Sequence, residues 1–181
     1  MEKKFGIFYG STTGITETVA NQIGEKLGIS ATDIHNVSGS SASDVQNYDC
    51  LLFGSSTWGD GELQDDWYDF IKDLEKENLN GKKVGIFGCG DSASYPDTFC
   101  DAVGLIYQAL QPTGCTFIGT YEPDGYAVEG SQILKDGKFV GLAIDDMNED
   151  NLTASRIDRW IERSKQETAQ TQNQKISHDH H

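Results

Sequence analysis

Two kinds of residue in this sequence could do chemistry: clustered hydroxyls beside glycine, and aromatic rings set among small residues. The first kind fills the stretch YGSTTGIT, from Tyr9 to Thr16. It lies between an apolar run over residues 5–9 and an amphipathic run marked by Ile15, Val19, Ile23 and Leu27. That pattern predicts strand, tight turn, helix. The turn then brings backbone N–H groups and the hydroxyls of Ser11, Thr12, Thr13 and Thr16 to a helix N-terminus. Such an end carries roughly half a positive charge and several unpaired N–H donors, which suits a phosphate. The turn has no lysine or arginine, so a dianion there is held by dipoles and hydrogen bonds alone. The same residue types also make an ordinary helix cap, so the turn does not decide the matter by itself.

The second kind appears in two later segments. Residues 55–62 include Ser56, Thr57, Trp58, Gly59, Asp60 and Gly61; residues 89–97 include Cys89, Gly90, Asp91, Tyr95 and Asp97, with Thr98 following. Each carries one prominent ring, Trp58 or Tyr95, in a bed of small residues. An aromatic side chain on an exposed loop leaves its apolar area in water unless it stacks on something. Two rings flanking a gap suit a flat aromatic ligand. A phosphate site and a flat ring together describe a mononucleotide.

The elements needed to position these loops can be read along the chain. Strands are expected at residues 5–9, 33–37, 50–54, 84–88 and 116–120, with 142–144 resembling the last strand resumed. Helices are expected over 14–27, on the stripe Trp67, Phe70, Ile71 and Leu74 up to Asn80-Gly81, on the stripe Phe99, Val103, Ile106 and Leu110, and from Thr153 through Ile157, Trp160 and Ile161. Residues 38–48 are a Ser-rich connection, 55–63 a loop, and 121–140 a Gly- and Asp-rich excursion. Alternating strands and helices predict an α/β fold with a doubly wound parallel sheet. In such sheets ligands bind outside the C-terminal ends of the strands, where all three loops begin. The domain is expected over residues 1–165, with a polar, His-containing tail over 166–181 that lacks periodicity and reads as disordered.

Composition excludes several functions. A formal net charge of -15 disfavours nucleic acid and anionic membrane as partners and favours basic protein surfaces. Arg156, Arg159 and Arg163 are the only arginines, so no Arg-based phosphatase loop is possible earlier in the chain. There is no G-x-x-x-x-G-K-[ST] motif and no acidic cluster after the first strand. The cysteines Cys50, Cys89, Cys100 and Cys115 lack metal-ligand spacing and read as reduced, mostly buried thiols. With no apolar run long enough to span a membrane and no secretory h-region, a cytoplasmic location is expected.

The chain resembles flavodoxins of the long-chain type. YGSTTGIT resembles their phosphate loop, and SSTWGDGELQDDW the loop whose Trp stacks on one face of a flavin. GCGDSASYPDTFCDAVG resembles the loop whose Tyr stacks on the other face, and DGKFVGLAIDDMN the end of the long-chain insertion. The resemblance implies a five-stranded sheet of order 2-1-3-4-5, flavodoxin's own, with an insertion in the last strand. It implies non-covalent FMN. Ser11, Thr13 and Thr16 would hold the phosphate with hydroxyls, and Thr12, Gly14 and Ile15 with N–H groups. Thr57 would touch the ribityl chain, Gly59 would face flavin N5 and Asp91 the pyrimidine edge. Ile15, Gly59, Thr98 and Met147 depart from residues common at these positions in relatives. The implied function is low-potential one-electron transfer between redox enzymes by a monomer without turnover of its own. The alternative is a flavodoxin-like NAD(P)H:quinone oxidoreductase, disfavoured because two bulky rings would keep a nicotinamide off the flavin.

Overall fold

The computed structural model describes residues 4–10, 14–58, 62–63, 65–90, 100–119, 133–135, 138–145 and 152–165. In chain order the strands are β1 (Phe5–Gly10), β2 (Ile34–Asn36), β3 (Cys50–Trp58), β4 (Glu62–Leu63), β5 (Lys83–Gly90), β6 (Thr116–Phe117), β7 (Leu134–Lys135), β8 (Lys138–Phe139) and β9 (Leu142–Asp145). The helices are α1 (Ile15–Leu27), α2 (Asp65–Leu74), α3 (Asp101–Ala109) and α4 (153–165). The main sheet runs β2-β1-β3-β5-β6 with every neighbour parallel, which is the expected order of five strand positions.

Its central strands are apolar on both faces because helices cover both. Ile7, Leu52 and Phe87 face Val19 and Ile23 of α1 and Ile157 and Trp160 of α4. Their neighbours Phe8, Leu51, Phe53 and Ile86 face Trp67, Phe70 and Leu74 of α2 and Val103 and Ile106 of α3. Successive strand residues point to opposite sides, so one continuous apolar run supplies two cores. Space at the centre is tight. A Cβ on Gly54 would lie 2.1 Å from the Phe87 ring, while Trp67 Nε1 donates to the Gly54 carbonyl at 2.7 Å. Only a residue without a side chain fits between them.

Three expectations need correction. β3 does not end at Gly54: Ser55 and Ser56 continue the ladder opposite Gly88 and Cys89, and Thr57 and Trp58 pair antiparallel with β4. The segment 55–63 is therefore largely strand, because ladder bonds use the backbone and need no apolar side chain. For the same reason Cys89 and Gly90 belong to β5 and not to the loop after it. α2 stops at Leu74, well before Asn80-Gly81; beyond it the buried Leu79 is tied by its N–H to the Thr113 carbonyl at 2.9 Å.

The last sheet position is shared by two segments. β6 pairs with Lys83 and Val84, and β9 with Phe87 to Gly90, further along the same edge of β5. This is the strand interrupted by an insertion that the sequence implied. Within the excursion, β7 and β8 form a small antiparallel hairpin, and Ile133, Phe139 and Val140 are buried in the α2–α3 core. The tail over 166–181 lies outside the described residues.

Candidate functional site

The parallel register brings the starts of all three loops to one edge. Gly10 lies opposite Ser55, Ser55 opposite Gly88, Ser56 opposite Cys89, and Gly90 opposite Asp145. Gly14, Ile15, Thr16, Ser56, Thr57, Trp58, Cys89 and Gly90 thus belong to elements that converge here. Ser11, Thr12, Thr13, Gly59, Asp60, Gly61, Asp91, Tyr95, Asp97, Thr98 and Met147 lie outside the described residues, and Thr57 and Trp58 are described as strand backbone.

The N-terminus of α1 opens on this edge. Gly14 is its N-cap, left-handed at φ 92° and ψ -5°, with no side-chain cap and nothing within 4 Å of where a Cβ would stand. A side chain would have room there but not the backbone conformation, which glycine enters cheaply. The Gly14 carbonyl accepts from Thr18 N–H at 3.0 Å and Thr18 Oγ1 at 2.9 Å, closing the first turn. Tyr9 stands close to Glu17 of that turn and to Asn36 at the end of β2. Burial, followed by the Glu17 charge, pushes the Tyr9 phenol up, so it stays neutral.

Thr16 is fully buried, and its Oγ1 lies 2.8 Å from Ser56 Oγ. Sequence reasoning named both residues but not their contact. The signal was present: Ser56 is an even number of positions from Leu52, so it shares the sheet face on which α1 packs. Ser55 points to the other face, fully buried, and donates from Oγ to the Ser56 carbonyl at 2.8 Å.

Two further side chains lie near this edge. Asp145, fully buried at the end of β9, was not singled out; a carboxylate closing the run LAID is its only sequence signal. Cys100 precedes α3 in a left-handed conformation at φ 55°, with Sγ 3.7 Å from the Gly88 carbonyl. Burial pushes its thiol well up, with Cys89 adding to the effect, so it is no thiolate nucleophile. Cys89 packs in the α1–α4 core and Cys100 in the α2–α3 core, with the sheet between them, and the four cysteines are free thiols. His35 lies on β2 and bonds the Tyr48 hydroxyl. Among the described residues no group of three or more His, Cys, Asp or Glu side chains could hold a metal ion, and no helix is long and apolar enough to cross a membrane.

A left-handed glycine cap at the start of α1 and the paired hydroxyls of Thr16 and Ser56 thus stand together at this edge. Set at the C-terminal edge of a 2-1-3-4-5 parallel sheet, they mark a doubly wound α/β protein. The chain belongs to the flavodoxin family: the family model described as Flavodoxin matches residues 7–160. It is 46% identical over 156 residues to a flavodoxin of Haemophilus influenzae, covering 86% of this chain and 90% of the relative. It is 44% identical over 163 residues to flavodoxin 1 of Escherichia coli strain K12, covering 90% and 93%. Among solved structures, the Fusobacterium nucleatum flavodoxin bound to flavin mononucleotide superposes with a TM-score of 0.83 at 32% identity, covering 92% of this chain and 99% of that one.

Proposed function

We propose that this chain is a diffusible, low-potential one-electron carrier of the long-chain flavodoxin type that binds FMN non-covalently at the edge described above. The observation that carries this reading is the likeness, over 92% of the chain, to a flavodoxin whose crystal structure holds that cofactor. The donor set fits: a phosphate dianion needs several N–H and O–H donors, and the start of α1 with its hydroxyl-rich approach offers them without a cation. The division of the last sheet position between β6 and β9 supports the long-chain type.

In this reading Ser11, Thr13 and Thr16 hold phosphate oxygens through hydroxyls, and Thr12, Gly14 and Ile15 through N–H groups. Thr57 meets the ribityl chain. Trp58 and Tyr95 cover the two faces of the ring and exclude water, Gly59 stands at N5, and Asp91 meets the pyrimidine edge. When bound, FMN supplies the redox chemistry; the protein orients it and sets its electrostatics. A net charge of -15 suits redox enzymes with basic docking surfaces as donors and acceptors. The carrier acts as a cytoplasmic monomer without turnover of its own.

Anaerobic mixing of the FMN-loaded chain with NADPH tests the assignment. A carrier keeps its yellow colour until a reductase is added. Rapid bleaching by NADPH alone would mean that the nicotinamide reaches the flavin, and would make the protein an NAD(P)H oxidoreductase.

A further inference from the structure

We propose that Ser56 is a positioning residue for the phosphate site, acting through Thr16: its hydroxyl donates to Thr16 Oγ1, so that the Thr16 proton is given to the phosphate. This role presupposes FMN at the site, as proposed above. A threonine hydroxyl has one proton and two acceptor lone pairs, whereas a phosphate dianion offers acceptors only. If Thr16 serves the phosphate it must donate to it, and toward Ser56 it can then only accept. The 2.8 Å contact between Thr16 Oγ1 and Ser56 Oγ therefore acquires a direction when the anion arrives.

Three observations favour this arrangement. Thr16 is fully buried, so bulk water does not compete for its hydroxyl or turn it aside. Ser56 stands on a strand whose backbone is fixed opposite Cys89, and a group held on a strand positions its partner more precisely than one on a loop. The contact also joins two elements far apart in sequence, the first turn of α1 and the end of β3 next to Thr57 and Trp58. The phosphate end and the ring end of the site are thereby linked through one hydrogen bond. Chains of hydroxyls that end on an anion strengthen one another in a dry environment.

Riboflavin has the ring and ribityl chain of FMN but no phosphate, so the two flavins separate this role from general support of the fold. The full-length chain freed of flavin is titrated with each, following the quenching of flavin fluorescence, for wild type, Ser56→Ala and Ser56→Thr. Ser56→Ala is expected to weaken FMN about fivefold, the worth of the one neutral hydrogen bond that aims the Thr16 proton at the phosphate, and to change riboflavin affinity less than about twofold. Ser56→Thr, which restores the hydroxyl, is expected to recover FMN affinity. Equal losses for both flavins, or no loss for FMN, would overturn the proposal and leave Ser56 a filler of the α1 interface. Wild-type protein that binds FMN no better than riboflavin would instead overturn the phosphate assignment itself. Should Ser56→Ala fail to fold by circular dichroism, Ser56→Cys, similar in size but a weak donor, takes its place with the same expected discrimination.

Discussion

The Tyr48 hydroxyl stands between two partners, donating to Asp33 Oδ1 at 3.0 Å and meeting His35 Nε2 at 2.7 Å. With the phenol proton committed to the carboxylate, Nε2 is the donor to the phenol oxygen, which assigns the protonated nitrogen of His35. This chain of bonds anchors edge strand β2 to the residues before β3. Burial first, then the Asp33 bond and charge, push the Tyr48 phenol up to about 12. A folded pKa above the unfolded value means stabilisation that is complete below pH ~10 and lost as pH rises toward ~12. Tyr48→Phe should cost about 1–2 kcal/mol at neutral pH through the lost hydrogen bonds. In urea unfolding measured across pH 10 to 12, its stability should also fall less steeply than that of wild type. Parallel pH profiles for the two proteins would refute the assignment. None of this was visible in the sequence, where His35 stood alone: the contact with Tyr48 depends on the register of β2.

At the scale of elements, the apolar signal marks what the sequence reveals and what it hides. The stripe Trp67, Phe70, Ile71 and Leu74 and the runs in β1, β3 and β5 are buried where expected, because burial chose their side chains. Ser55, Ser56, Cys89 and Gly90 were read as loop because they extend strands through backbone bonds alone. The convergence of the three loops was legible, since the fold class dictates which strand ends meet; the Thr16–Ser56 contact depends on strand length and was not. The excursion was read from its Gly and Asp content, with its buried anchors too far apart to show a period. Phe139 is fully buried, so the described end of this segment is part of the core. Phe139→Ala should destabilise the protein by about 3–5 kcal/mol. A surface decoration would lose under about 0.5 kcal/mol, a difference that denaturant unfolding resolves directly.

For the whole molecule, charge and site make opposite demands on salt. The net charge of -15 acts at long range, so association with a basic partner should slow and weaken as ionic strength rises. FMN held as proposed, by dipoles and neutral hydroxyls, would have few ion pairs to screen, so its dissociation constant should move little over the same range. Titrations with FMN and with a basic reductase at low and moderate salt would separate the two responses; a steep loss of FMN would contradict an uncharged phosphate site. The central claim, transfer of single electrons by a bound flavin, is tested most directly by stepwise anaerobic reduction of the FMN-loaded protein under spectroscopic and potentiometric control. Two separated one-electron steps are expected, with a half-reduced form of distinct colour accumulating between them. A single two-electron step, passing from yellow to colourless with nothing between, would contradict the account.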